Sequence, residues 1–114
     1  MGVLAKRAED AIAAELAANV VSYALGVRAE NIVDDARGCS QTAYARQLAM
    51  YLCHVGFELS LSRVAAAFGR DRSTVAHACH AIEDRRDEEQ FDHWMSALEE
   101  MMRAASSPQL RQRA

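Results

Sequence analysis

Arg72, Ser73, His77 and His80 are polar side chains whose spacing sets them on one face of a helix. That polar face is densest in its first turn, where a DNA-recognition helix meets base edges. Other chemistries fit these residues less well. Structural zinc needs four convergent ligands, usually in two spaced pairs. Cys79 falls on the apolar face, whereas His77 and His80 fall on the polar one, and Cys53 and His54 add no spaced pair. Arg70, Asp71, Arg72 and Ser73 are consecutive, which is not a nucleophile–base geometry. No Gly-rich Walker loop is present. No catalysis, no metal and no cofactor are therefore expected.

The elements that must hold these residues are two short helices around Gly69. Ser60 precedes Leu61, Val64, Ala65 and Phe68, which are spaced as one buried stripe. Gly69 takes the left-handed conformation that closes a helix. Asp71 fits an N-cap, its carboxylate accepting from backbone N–H groups near Thr74. Val75, Ala78, Cys79 and Ile82 then share the inner face of a helix over 72–85. Helix, tight turn and second helix make a helix-turn-helix, whose second helix lies in the major groove.

The same segment carries a resemblance. Ala45-Arg46-Gln47-Leu48-Ala49-Met50, Ser60-Leu61, Ala67-Phe68-Gly69, Arg70-Asp71, and Ser73-Thr74-Val75 followed by His77-Ala78-Cys79 occur in order. Together they resemble the C-terminal DNA-binding domain of the bacterial replication initiator DnaA. A weaker likeness, through Val20 to Tyr23 and Ile32-Val33, extends it to about residues 16–86. The chain is also similar to the small DnaA-like transcription regulators of alphaproteobacteria, including activators of gene transfer agents.

The resemblance implies roles. Base-edge reading falls on Asp71, Arg72 and Ser73, with Thr74 beside them. Arginine stands at 72 where the family usually has histidine, and it can grip O6 and N7 of a guanine. Asp71 can accept from the amino group of cytosine. Ser73 replaces a threonine and lacks its methyl. One glycine, not two, precedes Arg70. The expected site is thus related to the DnaA box but not identical to it. Arg46 and Gln47 match positions near the DNA backbone, where contacts fix register. Ser60 can bond phosphate at a helix N-terminus. His54, in place of a lysine, and His77 either touch phosphate or face solvent. In DnaA a basic loop sends one arginine into the minor groove. Here Arg37 alone remains, flanked by Asp34 and Asp35, so it either enters a narrow groove or stays in a solvated loop.

Composition sets the frame. A chain of 114 residues with one proline, five glycines and many alanines is expected to be one all-α domain, a compact bundle of five to six helices. We place that domain at residues 1–104 and a disordered tail at 105–114, with Arg111 and Arg113 able to graze DNA. No 18-residue apolar run and no signal-peptide pattern occurs, so a cytoplasmic, nucleoid-associated location is expected. Cys39, Cys53 and Cys79 are an odd, unpaired set and read as reduced thiols. The net charge is −3, unevenly spread. Residues 60–86 carry five arginines against three acids, while residues 87–104 carry one against six.

The flanks read as helices. Over 6–25, Ile12, Leu16, Val20 and Val21 fall on one side, and Gly26 ends the run. This is either a core helix or, through its alanine-rich sides, a dimer face. Residues 41–54 form the next helix, with Ala45, Leu48, Ala49, Leu52 and Cys53 inward. Asp87 and Gln90 suggest a capping box for a helix over 88–104. Its stripe of Phe91, Trp94, Met95, Leu98, Met101 and Met102 is core or a partner surface. The expected function is a sequence-specific duplex-DNA-binding transcription regulator, an activator. It would bind as monomer or weak homodimer, and the 88–104 helix would contact RNA polymerase or another promoter-bound protein. Two alternatives stand: a replication regulator competing with DnaA for its boxes, and a protein-interaction module that has lost DNA binding.

Overall fold

A computed structural model describes residues 2–33 and 40–106. The expectations for Arg37, Asp34, Asp35, Cys39 and the last eight residues lie outside the described residues. The rest form six α-helices and no strand: α1 Val3–Leu25, α2 Ala29–Val33, α3 Ser40–Tyr51, α4 Leu61–Phe68, α5 Arg72–Arg85 and α6 Glu89–Ala105.

α1 stops where Gly26 turns left-handed (φ 73°) and its N–H donates to the Ser22 carbonyl at 2.8 Å. Its buried stripe is Ala13, Ala14, Ala17, Ala18, Val20 and Val21. Ile12, expected inside, is 55% exposed. The small alanines let α1 approach α3 closely, and that contact fixes a face one position away from Ile12.

α3 lies between α1 and α5 and continues into a π-helical turn, Leu52–Gly56. Tyr51, Leu52 and Cys53 are all buried, which a regular α-helix with one neighbour would not achieve. The wider turn manages it because α1, α4 and α6 surround it. The chain then bends at Glu58, not at glycine, with φ 58°.

α4 begins as expected: the Ser60 hydroxyl accepts from the Arg63 N–H at 3.2 Å. It ends at Gly69, left-handed at φ 63°. Asp71 occupies the N-cap of α5 in extended conformation, but its carboxylate caps nothing; only its carbonyl is used, by the Val75 N–H at 3.1 Å. The proposed capping box of α6 is also absent. Glu88, not Asp87, is the N-cap, with no side-chain bond. Phe91, Met95, Leu98 and Met102 of α6 are core, Trp94 is half-buried against it and Met101 is left at the edge.

Polar clamps tie these layers. Arg63 on α4 grips buried Asp10 on α1 with two bonds, 2.6 and 3.0 Å. Arg86, just past α5, donates to Asp92 (2.6 Å), Glu99 (3.1 Å) and the Tyr51 hydroxyl (3.2 Å). Tyr51 donates in turn to Glu83 at 2.6 Å. Burial, then this bond to Glu83, pushes the Tyr51 phenol up to about 12. The folded state therefore favours the protonated phenol. That increment is complete below pH 10, the ordinary value, and is lost as pH rises from 10 to 12. Urea midpoints should fall more steeply over that window for the natural chain than for Tyr51→Phe; parallel curves would contradict the assignment.

Candidate nucleic-acid interface

The two faces of α5 are sharply divided. Val75, Ala78, Cys79 and Ile82 are buried against the bundle. Arg72, Ser73, Thr74, His77 and His80 are exposed, as is Asp71 ahead of them. The apolar side is small and flat enough for α5 to sit on α3 and α4, so the first turn projects outward.

Beside that turn runs a groove of about 340 Å³ between α3 and α5. Arg46, Gln47, Arg70, Ser73, Thr74 and His77 line it, which brings six of the sequence-predicted residues to one place. They do not play equal parts. Arg46 is 8% exposed, and its guanidinium donates to the carbonyls of Ile32 (2.9 Å) and Asn31 (3.0 Å). The phosphate contact expected of it gives way to a brace that satisfies the last carbonyls of α2. Arg70 is half-buried and donates to the Phe68 and Gly69 carbonyls at 3.1 and 3.3 Å, so it also stiffens the turn.

His54 and Ser60 lie elsewhere. His54 lines a separate hollow of about 260 Å³ with Leu61, Ala76, Cys79, His80 and Glu83, on the α4 side of α5. Its Nδ1 is 2.7 Å from the Leu59 carbonyl. A carbonyl only accepts, so Nδ1 carries the proton. Ser60 sits exposed at the start of α4, next to Leu61 of this hollow. Thus α5 is flanked on one side by the Gln47–Arg70 groove and on the other by the start of α4.

Of the described cysteines, Cys53 and Cys79 offer no reactive group on this face. Burial pushes the Cys79 thiol up to about 11 and the Cys53 thiol higher still. Cys53 leans on the Ala13 carbonyl at 3.6 Å. Among the described residues no three His, Cys, Asp or Glu side chains converge on a point.

Much of the positive charge counted over 60–86 is engaged by partners within the protein. Arg63 is paired with Asp10 and Arg86 with Asp92 and Glu99. Arg85 stacks on Phe91, 4.1 Å from its centroid, and on Tyr44, whose hydroxyl accepts from it at 2.6 Å. Sequence reasoning missed these partners. For Arg46 a signal existed: Thr42, Arg46 and Met50 are spaced i, i+4, i+8, and all three are buried.

Comparison with known proteins follows the same segment. The bacterial DnaA protein helix-turn-helix family matches residues 14–82. The chromosomal replication initiator protein DnaA of Aquifex aeolicus (strain VF5) is 39% identical over 75 residues, covering 64% of this chain and 18% of that protein. A crystal structure of a DNA replication initiation factor superposes with a TM-score of 0.75 at 31% identity, covering 89% of this chain and 31% of the other. The chain thus spans less than a third of either relative's length.

Proposed function

Because the chain belongs to the bacterial DnaA helix-turn-helix family, we propose that it is a sequence-specific duplex-DNA-binding regulator of transcription, an activator located on the nucleoid. The observation that carries this is the outward first turn of α5, with Arg72, Ser73 and Thr74 exposed beside a groove lined by Gln47, Arg70 and His77. In the major groove, Arg72 would take O6 and N7 of a guanine with two parallel bonds. Asp71, with no capping bond to hold its carboxylate, is available to the amino group of a cytosine. Gln47 and His77 on one flank and the Ser60 end of α4 on the other would meet the phosphates of the two strands.

The finer assignments rest on chemistry. DnaA's whole-chain activity is not carried over, because the match covers only 18% of that protein. No catalytic role is proposed. Met95 and Met102 of α6 are core, so contact with RNA polymerase or a promoter-bound factor would use the acidic outer face around Glu88, Glu89 and Glu100. A second reading, competition with DnaA for its boxes, is favoured by the residues shared around position 72: Asp71, Thr74 and His77. Genome-wide occupancy separates the two, at promoters or at the origin.

Selection from a random duplex pool tests the base-reading claim. The expected product is a site related to the DnaA box and changed at the base pair facing Arg72. Recovery of the unaltered box as best site would contradict the role given to Arg72. Salt supplies an independent check. With Arg63 and Arg86 in ion pairs and Arg85 held at the surface on Tyr44, few cations are free to face the duplex. The slope of log K against log salt should be shallow, about −2 to −4. A slope near −8 would mean far more phosphate contacts than this surface carries.

A further inference from the structure

We infer that the solvent face of α1 pairs with the same face of a second copy of the chain, antiparallel, forming a weak dimer whose two reading helices stay uncovered.

The face itself is unusual. α1 has 23 residues, and its exposed side carries Ala8, Ala11, Ile12, Glu15, Asn19 and Tyr23. Ile12 is 55% and Tyr23 82% exposed. A helix facing only water normally carries charges along that side; here the middle of it offers Glu15 alone. Two alanines beside Ile12 allow a second helix to come close. Nothing in the DNA-reading role uses these residues.

Charge then selects the occupant. Arg7 and Glu15 are both exposed, two turns apart on α1. Among the described residues, no ion pair joins either of them to another side chain. A two-fold axis near Ala11 sets Arg7 of each copy opposite Glu15 of the other, and brings Ile12 against Ile12. A parallel pairing would set Arg7 against Arg7 and Glu15 against Glu15. The surface is therefore self-complementary in one direction only, as a two-fold contact requires. Tyr23 lies beyond the overlap.

The position of α1 gives the pairing a consequence, which rests on the DNA-reading proposal above. α1 and α5 both pack on α3 and α4 and share no substantial contact with each other, so pairing through α1 leaves the reading face of α5 uncovered. A dimer joined through α1 keeps both reading faces free. It would hold two separate duplexes, or two sites on one. One helix face is a small interface, so half-dissociation is expected at about 10–100 μM.

Sedimentation of the full chain without DNA, from about 5 to about 300 μM, is the first test. Dimer should grow in across that range. Arg7→Glu and Glu15→Arg should each weaken it about tenfold or more, and the two combined should restore it. Ile12→Arg should leave a monomer with unchanged thermal unfolding. A monomer throughout, or a dimer indifferent to these changes, or no restoration in the double variant, would overturn the pairing. Capture of a labelled duplex by a bead-bound duplex should succeed with the natural chain and fail with Ile12→Arg; equal capture by both would also overturn it. Binding to a single short duplex keeps the two proposals apart. Its absence alongside dimerisation removes the DNA reading and leaves the pairing; its presence in a chain that never dimerises does the reverse.

Discussion

Arg72→Ala is expected to weaken binding to the selected duplex by about tenfold to a hundredfold, the loss set by a two-bond arginine–guanine contact of roughly 1–3 kcal/mol. Binding to unrelated duplex should fall much less, because one phosphate-range charge is a small part of that affinity. Arg72 is exposed and, among the described residues, makes no bond that its removal would disturb, so thermal unfolding should not move. Titration of both proteins against matched and mismatched duplexes reads the difference. Equal losses on every sequence would make Arg72 a phosphate contact, and no loss on any would remove α5 from the interface.

The second large effect concerns stability. The Arg86 side chain is 16% exposed and holds Asp92, Glu99 and Tyr51 together with Ser96. Arg86→Ala leaves half-buried Glu99 and the Tyr51–Glu83 pair without their cation. Breaking a fully buried pair from one side costs about 3–5 kcal/mol; with these partners partly exposed, about 2–3 kcal/mol is expected, and the unfolding temperature should drop by about 10 °C. Denaturant melts would show it directly. A change under about 1 kcal/mol would mean that α6 is held by Phe91, Met95 and Leu98 alone.

These two arginines show where periodicity informs and where it does not. The division of α5 followed from counting i, i+3, i+4 and i+7, because Val75, Ala78, Cys79 and Ile82 are apolar and nothing competes for them. The caps at Ser60 and Gly69 followed from residue type. Ile12 did not, since apolar character alone cannot tell which of two adjacent stripes α3 will cover. Arg46 could be sorted from Arg72 only by its spacing from Thr42 and Met50, and Arg63 and Arg86 not at all. Their roles come from partners 14, 53 and 13 positions away in the chain, at Ile32, Asp10 and Glu99. A charge tally over 60–86 therefore overstated the positive field that the folded protein shows to a duplex.

The π-helical turn at Leu52–Gly56 is a further case. The sequence there continues a regular helical pattern. What widens the turn is crowding by α1, α4 and α6 around Leu52 and Cys53, a tertiary cause. It matters for the site, since the chain leaving this turn sets the start of α4 and so the angle at which α5 is presented.

Amide shifts of the isotope-labelled chain, followed as the selected duplex is added, test most directly whether the first turn of α5 meets the bases. Shifts concentrated at residues 71–77 and at Gln47, with the α1 face unmoved by a single short duplex, are the predicted result. Shifts confined to α1 or α6, with Arg72 and Ser73 unperturbed, would contradict it.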